Sequence, residues 1–293
     1  MRKGVAVGFV GIGAMGEPMA RCLLRGGYRV FACAHRNRER LERILAEGAV
    51  EAGTPAEVAT HSSAVITCVP DAPQVEEAIF GPHGLLAGAA TPLSFIDMST
   101  ISPLATRGIA RRLIERGHRF IDAPVSGGPV RAAQGNLTIM VGAQAKDFKA
   151  LVPILKTMGT PTHVGPVGMG ETVKLTNQIL IANIMLANAE ALSFARKSGA
   201  DSETVRAVLA TATGANYLLE EWLPKTWFAN DFAGGFALDL LRKDLSAALE
   251  AARAMNLPMP ASAFAYQLYT AQSAKGDGAD DYSAVAKLYD QFV

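Results

Sequence analysis

Val5-Ala6-Val7-Gly8-Phe9-Val10 is a short apolar run that ends in Gly11-Ile12-Gly13-Ala14-Met15-Gly16. From Glu17 to Arg25, Met19, Ala20, Leu23 and Leu24 then recur at helical spacing. Apolar residues at consecutive positions suit a strand buried on both faces. Few folds accept strand, G-x-G-x-x-G and helix in direct succession. The first glycine permits the tight turn, the second lets the backbone approach a pyrophosphate, and the third lets helix and strand pack closely. The helix start adds free N–H groups and the positive end of a dipole. Gly11, Ile12, Gly13, Ala14, Met15 and Gly16 are therefore expected to bind a dinucleotide.

The pattern that follows keeps alternating. Residues 29–34, 64–69, 93–98, 119–122 and 137–141 read as strands, and residues 74–80, 103–116 and 146–158 have helical spacing. Such alternation predicts a parallel, doubly wound sheet of Rossmann type. Ligands of these sheets bind beyond the carboxyl ends of the strands. That rule selects Pro70, Ser99-Thr100 and the loop from Ala123 to Gly128. At the end of the second strand an NAD-binding unit carries an acid for the ribose 2′-hydroxyl. Here the chain reads Ala34-His35-Arg36-Asn37-Arg38. An arginine pairs with a 2′-phosphate where a carboxylate would repel it. Arg36, assisted by Arg38 or His35, thus predicts NADP(H), with NAD as the alternative. Ser126-Gly127-Gly128 offers a hydroxyl and several N–H groups, a receptor for a carboxylate; a plain flexible turn accounts for those three residues equally well.

A different architecture begins at Gly168-Met169-Gly170-Glu171-Thr172-Val173-Lys174. The longest helical pattern runs from Glu171 to Lys197, with Lys174 in its first turn. Between Ile179 and Ala195 it is apolar on nearly every side, which predicts a buried helix. No strand pattern follows; residues 202–211, 239–255 and 260–272 all read as helices, with Pro258 as a stop. The expected fold is α/β: a doubly wound Rossmann-type sheet domain, residues 1–165, followed by an all-helical domain, residues 166–293, joined by a long central helix.

Composition narrows the partners. A net charge of +1 supplies no field for nucleic acid or an anionic membrane surface. The three cysteines, Cys22, Cys33 and Cys68, lie in apolar surroundings without paired spacing, as reduced thiols of a cytoplasmic protein do, and they suggest neither a disulfide nor a metal framework. The amino-terminal apolar run breaks at Gly11 and is too short to span a membrane.

Beyond these local readings, the whole chain resembles the β-hydroxyacid dehydrogenase family. The matching segments are Gly8 to Ala20, Pro70-Asp-Ala-Pro-Gln-Val75, Asp97-Met-Ser-Thr-Ile-Ser-Pro103, Asp122-Ala-Pro-Val-Ser-Gly-Gly128, Gly168-x-Gly-x-x-x-Lys174-x-x-Asn177, and Phe236-Ala-Leu-x-x-x-x-Lys243-Asp-Leu245. Six motifs in the right order are far more specific than one. The resemblance implies that Lys174 is catalytic with Asn177 beside it; residues three apart share a helix face. It also implies that Ser126, Gly127 and Gly128 hold a substrate carboxylate. Pro70 and Thr100 would line the nicotinamide side, and Lys243 would reach the cofactor. Phe236 is a candidate for closing the substrate pocket, with core packing nearly as good an account. Where many members have a small residue this chain has Arg131, which suits a second acidic group on the substrate or plain exposure. The implied enzyme is an NADP(H)-preferring reductase or dehydrogenase of a small β-hydroxyacid or semialdehyde. Tartronate semialdehyde, succinic semialdehyde, glyoxylate and 3-hydroxyisobutyrate are the candidate substrates. An NAD-dependent 3-hydroxyisobutyrate dehydrogenase is the rival; an imine reductase or a non-catalytic NADP-binding scaffold fits less well with Lys174 in place. The apolar surface of the helical half, and the resemblance, predict a homodimer or homotetramer.

Overall fold

The computed structural model describes residues 5–34 and 38–290. The chain divides into two compact units, Met1–Lys174 and Leu175–Val293, so the division falls inside the long helix and not in the glycine-rich stretch before it.

Among the described residues, the first unit is built on nine strands: β1 (Ala6–Val10), β2 (Arg29–Ala32), β3 (Val50–Glu51), β4 (Ala64–Thr67), β5 (Ser94–Asp97), β6 (Arg119–Asp122), β7 (Val125–Ser126), β8 (Leu137–Gly142) and β9 (Gly159–Gly165). Helices α1 (Gly16–Arg25), α2 (Arg38–Ala46), α3 (Pro55–Thr60), α4 (Ala72–Phe80), α5 (Leu85–Gly88), α6 (Pro103–Ile114), α7 (Gly128–Ala133) and α8 (Ala145–Leu155) connect them. The strand order is β3-β2-β1-β4-β5-β6-β8-β7, with β9 against β8. From β1 the chain steps outward to β3, then returns to lay β4 on the other side of β1. That reversal is the switch point at which such sheets bind ligands.

Neighbouring residues in each strand point to opposite faces, and both faces are covered. Phe9, Ile66, Ile96 and Ile121 pack with Met19, Leu23 and Leu155 in one core. Val65, Phe95 and Phe120 pack with Val58, Ile79 and Leu113 in the other. Burial on both sides explains why these strands read as continuous apolar runs.

The sheet is not parallel throughout. β1 to β6 pair in parallel, but β8 runs antiparallel to both β6 and β7. β6 and β7 follow one another along the same flank of β8, and only the ten residues 127–136 lead from β7 to β8, fewer than the dozen or so that a parallel crossover needs. β9 also escapes the sequence pattern, because Gly159, Pro161 and Gly165 interrupt any apolar run or alternation. Among the described residues it pairs only with β8, and an edge position tolerates a proline.

The long helix α9 (Met169–Lys197) starts earlier than its apolar pattern suggests. Beyond it lie α10 (Ser202–Leu209), a π-helical turn (Leu218–Trp222), α11 (Leu238–Ala254), α12 (Pro260–Ala274) and α13 (Lys287–Asp290). No strand follows β9 among the described residues. α9 passes the length and hydropathy tests for a membrane span. Its apolar residues instead join the core of the helical unit: Ala182, Met185, Ala189 and Leu192 pack with Leu223, Leu241, Leu245 and Tyr269. The expectation of burial on all sides holds for one face only. Leu180 and Phe194, on the other face, are 55% and 76% exposed, because the helices that pack on α9 meet one side of it.

Candidate active site

The glycine turn leaves β1 at the switch point, and the three glycines meet three different surroundings. A Cβ on Gly11 would collide with the carbonyl of Cys68 just past β4, and Gly11 holds φ at +103°. A Cβ on Gly16 would collide with the carbonyl of Gly11. A Cβ on Gly13 would meet nothing within 4 Å, and Gly13 and Ala14 are exposed while Ile12 and Gly16 are buried. Two glycines are thus demanded by the protein's own backbone, and the middle one keeps a surface open. The N-cap residue of α1, Met15, makes no side-chain cap, so the first N–H groups of the helix receive nothing from it. The Glu17 N–H donates to the Gly13 carbonyl at 3.1 Å and Pro18 has no N–H, so it is the open backbone and the positive dipole end that suit a pyrophosphate.

Strand register collects the other loops on the same edge. Val10 pairs with Thr67, Thr67 with Asp97, and Asp97 with Asp122, so the segments after β1, β4, β5 and β6 leave the sheet from one row. Pro70, exposed, and Thr100, half-buried, stand just beyond that row. Two buried carboxylates organise it. Asp97 accepts from the Thr67 hydroxyl at 2.8 Å and from the Ser99 N–H at 3.1 Å, while the Ser99 hydroxyl accepts from the Val69 N–H at 3.0 Å. Asp122 accepts from the N–H groups of Gly168 (2.7 Å) and Glu171 (3.0 Å) at the start of α9. Asp122 is fully buried; desolvation pushes its carboxyl up to about 6, aided by the Asp97 charge and opposed by the two N–H bonds. Neither aspartate was singled out from the sequence. The signal was there, since Phe-Ile-Asp closes both strands, and a buried acid needs partners.

Ser126 ends β7 half-buried, and Gly127 and Gly128 follow with φ of +135° and +66°. Side-chain-bearing residues rarely adopt these angles, and a Cβ on Gly128 would meet nothing within 4 Å. Arg131 is exposed and donates through Nε to the carbonyl of Asn136 at 2.9 Å. Lys174, in the second turn of α9, is 6% exposed.

Arg36 and His35 lie outside the described residues. Arg38 opens α2 and makes an exposed bidentate pair with Glu51 at 2.8 and 3.1 Å. Arg40 and Arg43 both reach the buried carboxylate of Glu17 on α1, at 2.9 and 2.7 Å. The Arg43 hydrogen bond, with Arg40 helping, lowers the Glu17 pKa against desolvation.

In the helical unit, Asn177 and Lys243 belong to one polar chain. Asn177 donates to Gln178 at 3.0 Å, Gln178 donates to Asp244 at 2.7 Å, and Lys243 pairs with Asp244 at 2.7 Å. Gln178 and Asp244 are buried and were not foreseen as supports. Phe236 is placed separately: its N–H donates to Asp281 at 3.1 Å, and its ring meets the edge of Tyr282. The Trp222 indole N–H donates to the same carboxylate at 3.0 Å.

Comparison with known proteins covers the whole chain. Residues 6–170 match the family model described as the NAD binding domain of 6-phosphogluconate dehydrogenase. Residues 168–289 match that described as NAD-binding of NADP-dependent 3-hydroxyisobutyrate dehydrogenase. The 2-(hydroxymethyl)glutarate dehydrogenase of Eubacterium barkeri is 39% identical, over 100% of this chain and 97% of the relative. The 2-hydroxy-3-oxopropionate reductase of Escherichia coli is 37% identical, over 96% of each. Among solved structures, a 3-hydroxyisobutyrate dehydrogenase from Mycobacterium tuberculosis with L-serine superposes at TM-score 0.89, with 30% identity over 97% of this chain and 98% of that one.

Proposed function

Because the chain belongs to the β-hydroxyacid dehydrogenase family of NAD(P)-dependent oxidoreductases, we propose that it reduces a small semialdehyde acid, or oxidises the matching β-hydroxyacid, with Lys174 as general acid and base. The observation that carries this is a buried lysine on the helix whose first N–H groups are tied to the strand edge bearing the glycine turn. Lysine is almost never fully buried unless it is paired, and its pKa falls readily on burial, which suits proton transfer.

The nicotinamide supplies or takes the hydride. Gly11 to Gly16 hold the pyrophosphate, with Pro70 and Thr100 beside the nicotinamide and Lys243 on the cofactor. The Ser126 hydroxyl and the N–H groups of Gly127 and Gly128 hold the substrate carboxylate, which fixes the reacting carbon in one orientation. In reduction Lys174 Nζ gives its proton to the carbonyl oxygen; in oxidation it takes the hydroxyl proton. Asn177 stands one helical turn further along and orients the same oxygen. Phe236 closes the pocket above the carboxylate. Residues 1–165 serve the cofactor, and residues 166–293 complete the substrate site and the oligomer.

NADP(H) is the preferred cofactor, through Arg36. Exposed pairs such as Arg38–Glu51 are weak, so Arg38 is available to a 2′-phosphate as well. The exposed face of α9 around Leu180 and Phe194 makes a homodimer or homotetramer, and the enzyme is cytoplasmic. The test is an assay of tartronate semialdehyde, succinic semialdehyde, glyoxylate, 3-hydroxyisobutyrate and 2-(hydroxymethyl)glutarate with both cofactors, for the chain and for Lys174→Ala. The variant is expected to lose about a thousandfold in kcat with NADPH affinity retained. Near-normal turnover would refute the role of Lys174, a clear NADH preference would refute that of Arg36, and a strictly monomeric species at micromolar concentration would refute the oligomer.

A further inference from the structure

Asp122 is a fully buried acid to which the reaction above gives no task. Its two hydrogen bonds have a specific meaning for α9. Gly168 is the residue before the helix, and Glu171 is its third residue. These are N–H groups that a helix cannot satisfy internally, and an N-cap side chain usually takes one of them. Here a carboxylate from a neighbouring strand takes both, at 2.7 and 3.0 Å. Space around it is closed on two sides. A Cβ on Gly142 would overlap Oδ1, and a Cβ on Gly170 would lie 2.7 Å from Oδ2 and 2.5 Å from the Met140 carbonyl. Gly170 is thus the only residue type that lets the helix start come this near to the strand.

Asp122 is also the last residue of β6, and Ala123, Pro124 and Val125 lead from it directly to Ser126. One side chain therefore joins the segment that carries Ser126-Gly127-Gly128 to the turn that precedes Lys174. A helix that slips by one residue moves each side chain 1.5 Å along its axis and turns it by roughly 100°. Both bonds would have to break for α9 to slip or for its first turn to fray.

We propose that Asp122 is a positioning residue, which fixes where Lys174 stands relative to the Ser126-Gly127-Gly128 loop by holding the first N–H groups of α9. The proposal rests on Lys174 being the proton donor. It assigns Asp122 no contact with substrate or cofactor.

The test is a double-mutant cycle of Asp122→Asn and Lys174→Ala, with single-turnover oxidation of NADPH as the readout. Asparagine keeps the shape but turns one acceptor into a donor, which faces an N–H. With Lys174 present, Asp122→Asn is expected to lower the single-turnover rate by tenfold or more, roughly the scale of an ångström-sized misplacement. Substrate KM and NADPH affinity should stay within about twofold. With Lys174→Ala, adding Asp122→Asn should leave the residual rate unchanged, because there is no lysine left to place. An equal loss in both backgrounds, a loss confined to KM or cofactor affinity, or no loss at all would overturn the proposal. A near-normal rate for Lys174→Ala alone would instead strike the proton-donor reading. Should Asp122→Asn not fold, Gly170→Ala displaces the same helix start with the carboxylate intact. A folded Gly170→Ala with full kcat would overturn the proposal equally.

Discussion

The starts of α1 and α9 pose the same physical problem and meet it in opposite ways. Each leaves unsatisfied N–H groups and a positive dipole end. At α1 the N-cap side chain contributes nothing, and the glycine beside it keeps its surface open. At α9 an internal carboxylate fills the position, and the neighbouring glycines close around it. An open start suits a ligand's phosphates; a closed start suits a helix that must not move. The G-x-G spacing at Gly11 and Gly13 recurs at Gly168 and Gly170, so spacing alone does not separate the two. What separates them is whether another part of the chain supplies the anion.

The largest effect is expected where the first start is held by its own backbone. Gly16→Ala places a methyl group from a buried position against the carbonyl of half-buried Gly11 and 3.0 Å from the buried Phe9 ring. Backbone cannot yield as a flexible side chain does, so about 4 kcal/mol of stability should be lost. A thermal melt shows whether Tm drops accordingly. An unchanged Tm would mean that the turn has slack, and that its third glycine is not required by packing.

Next comes the charge at each start. Asp122 has a folded pKa of about 6, above the ordinary aspartate value. The folded state therefore keeps a proton that the unfolded chain has released, and stability present below about pH 4 is lost as pH rises through 6. A shift of about two units bounds this loss at about 3 kcal/mol. Asp122→Asn, neutral throughout, should lack it, so urea midpoints of variant and parent should diverge in the variant's favour from pH 4 to pH 7. Glu17 at α1 has the opposite sign. Arg43 and Arg40 hold its pKa down, so its contribution is present above the ordinary glutamate value and lost as pH falls through the folded one. Glu17→Gln should flatten the acid limb below about pH 4 and leave the range from 4 to 7 alone. Equal behaviour of the two variants would erase the distinction between a buried carboxylate held by arginines and one held by backbone N–H groups.

The same contrast explains what was legible in the sequence. The glycine turn, the six strands from β1 to β8 other than β3 and β7, and α9 announce themselves by local pattern, because burial on two faces or helical spacing is written in consecutive residues. Lys174, Ser126 and Thr100 were picked out as candidates through motifs. Asp122 and Asp97 stand in those same motifs but drew no role, because their partners are 46 residues away at Gly168 and 30 away at Thr67. Gln178 and Asp244, 66 residues apart, were missed for the same reason. Contacts across the chain leave no local period. The antiparallel direction of β8 is likewise a property of how a short connection must turn, and apolar content says nothing about direction. The open face of α9 was misread because an apolar helix reads alike whether the chain itself covers it or not.

The smallest effect is the one that isolates ligand from fold. At Gly13 the structure has room for a methyl group, φ lies outside the region that only glycine favours, and no protein atom stands within 4 Å of the added carbon. Gly13→Ala should therefore leave Tm unchanged while the pyrophosphate, which needs the backbone at close range, is pushed away. A loss of about tenfold in NADPH affinity, or about 1.4 kcal/mol, is expected, read by quenching of protein fluorescence on titration. If affinity survives, the open surface at Gly13 is not where the phosphates lie. If Tm falls instead, the first helix start resembles the second, and its glycines serve the chain alone.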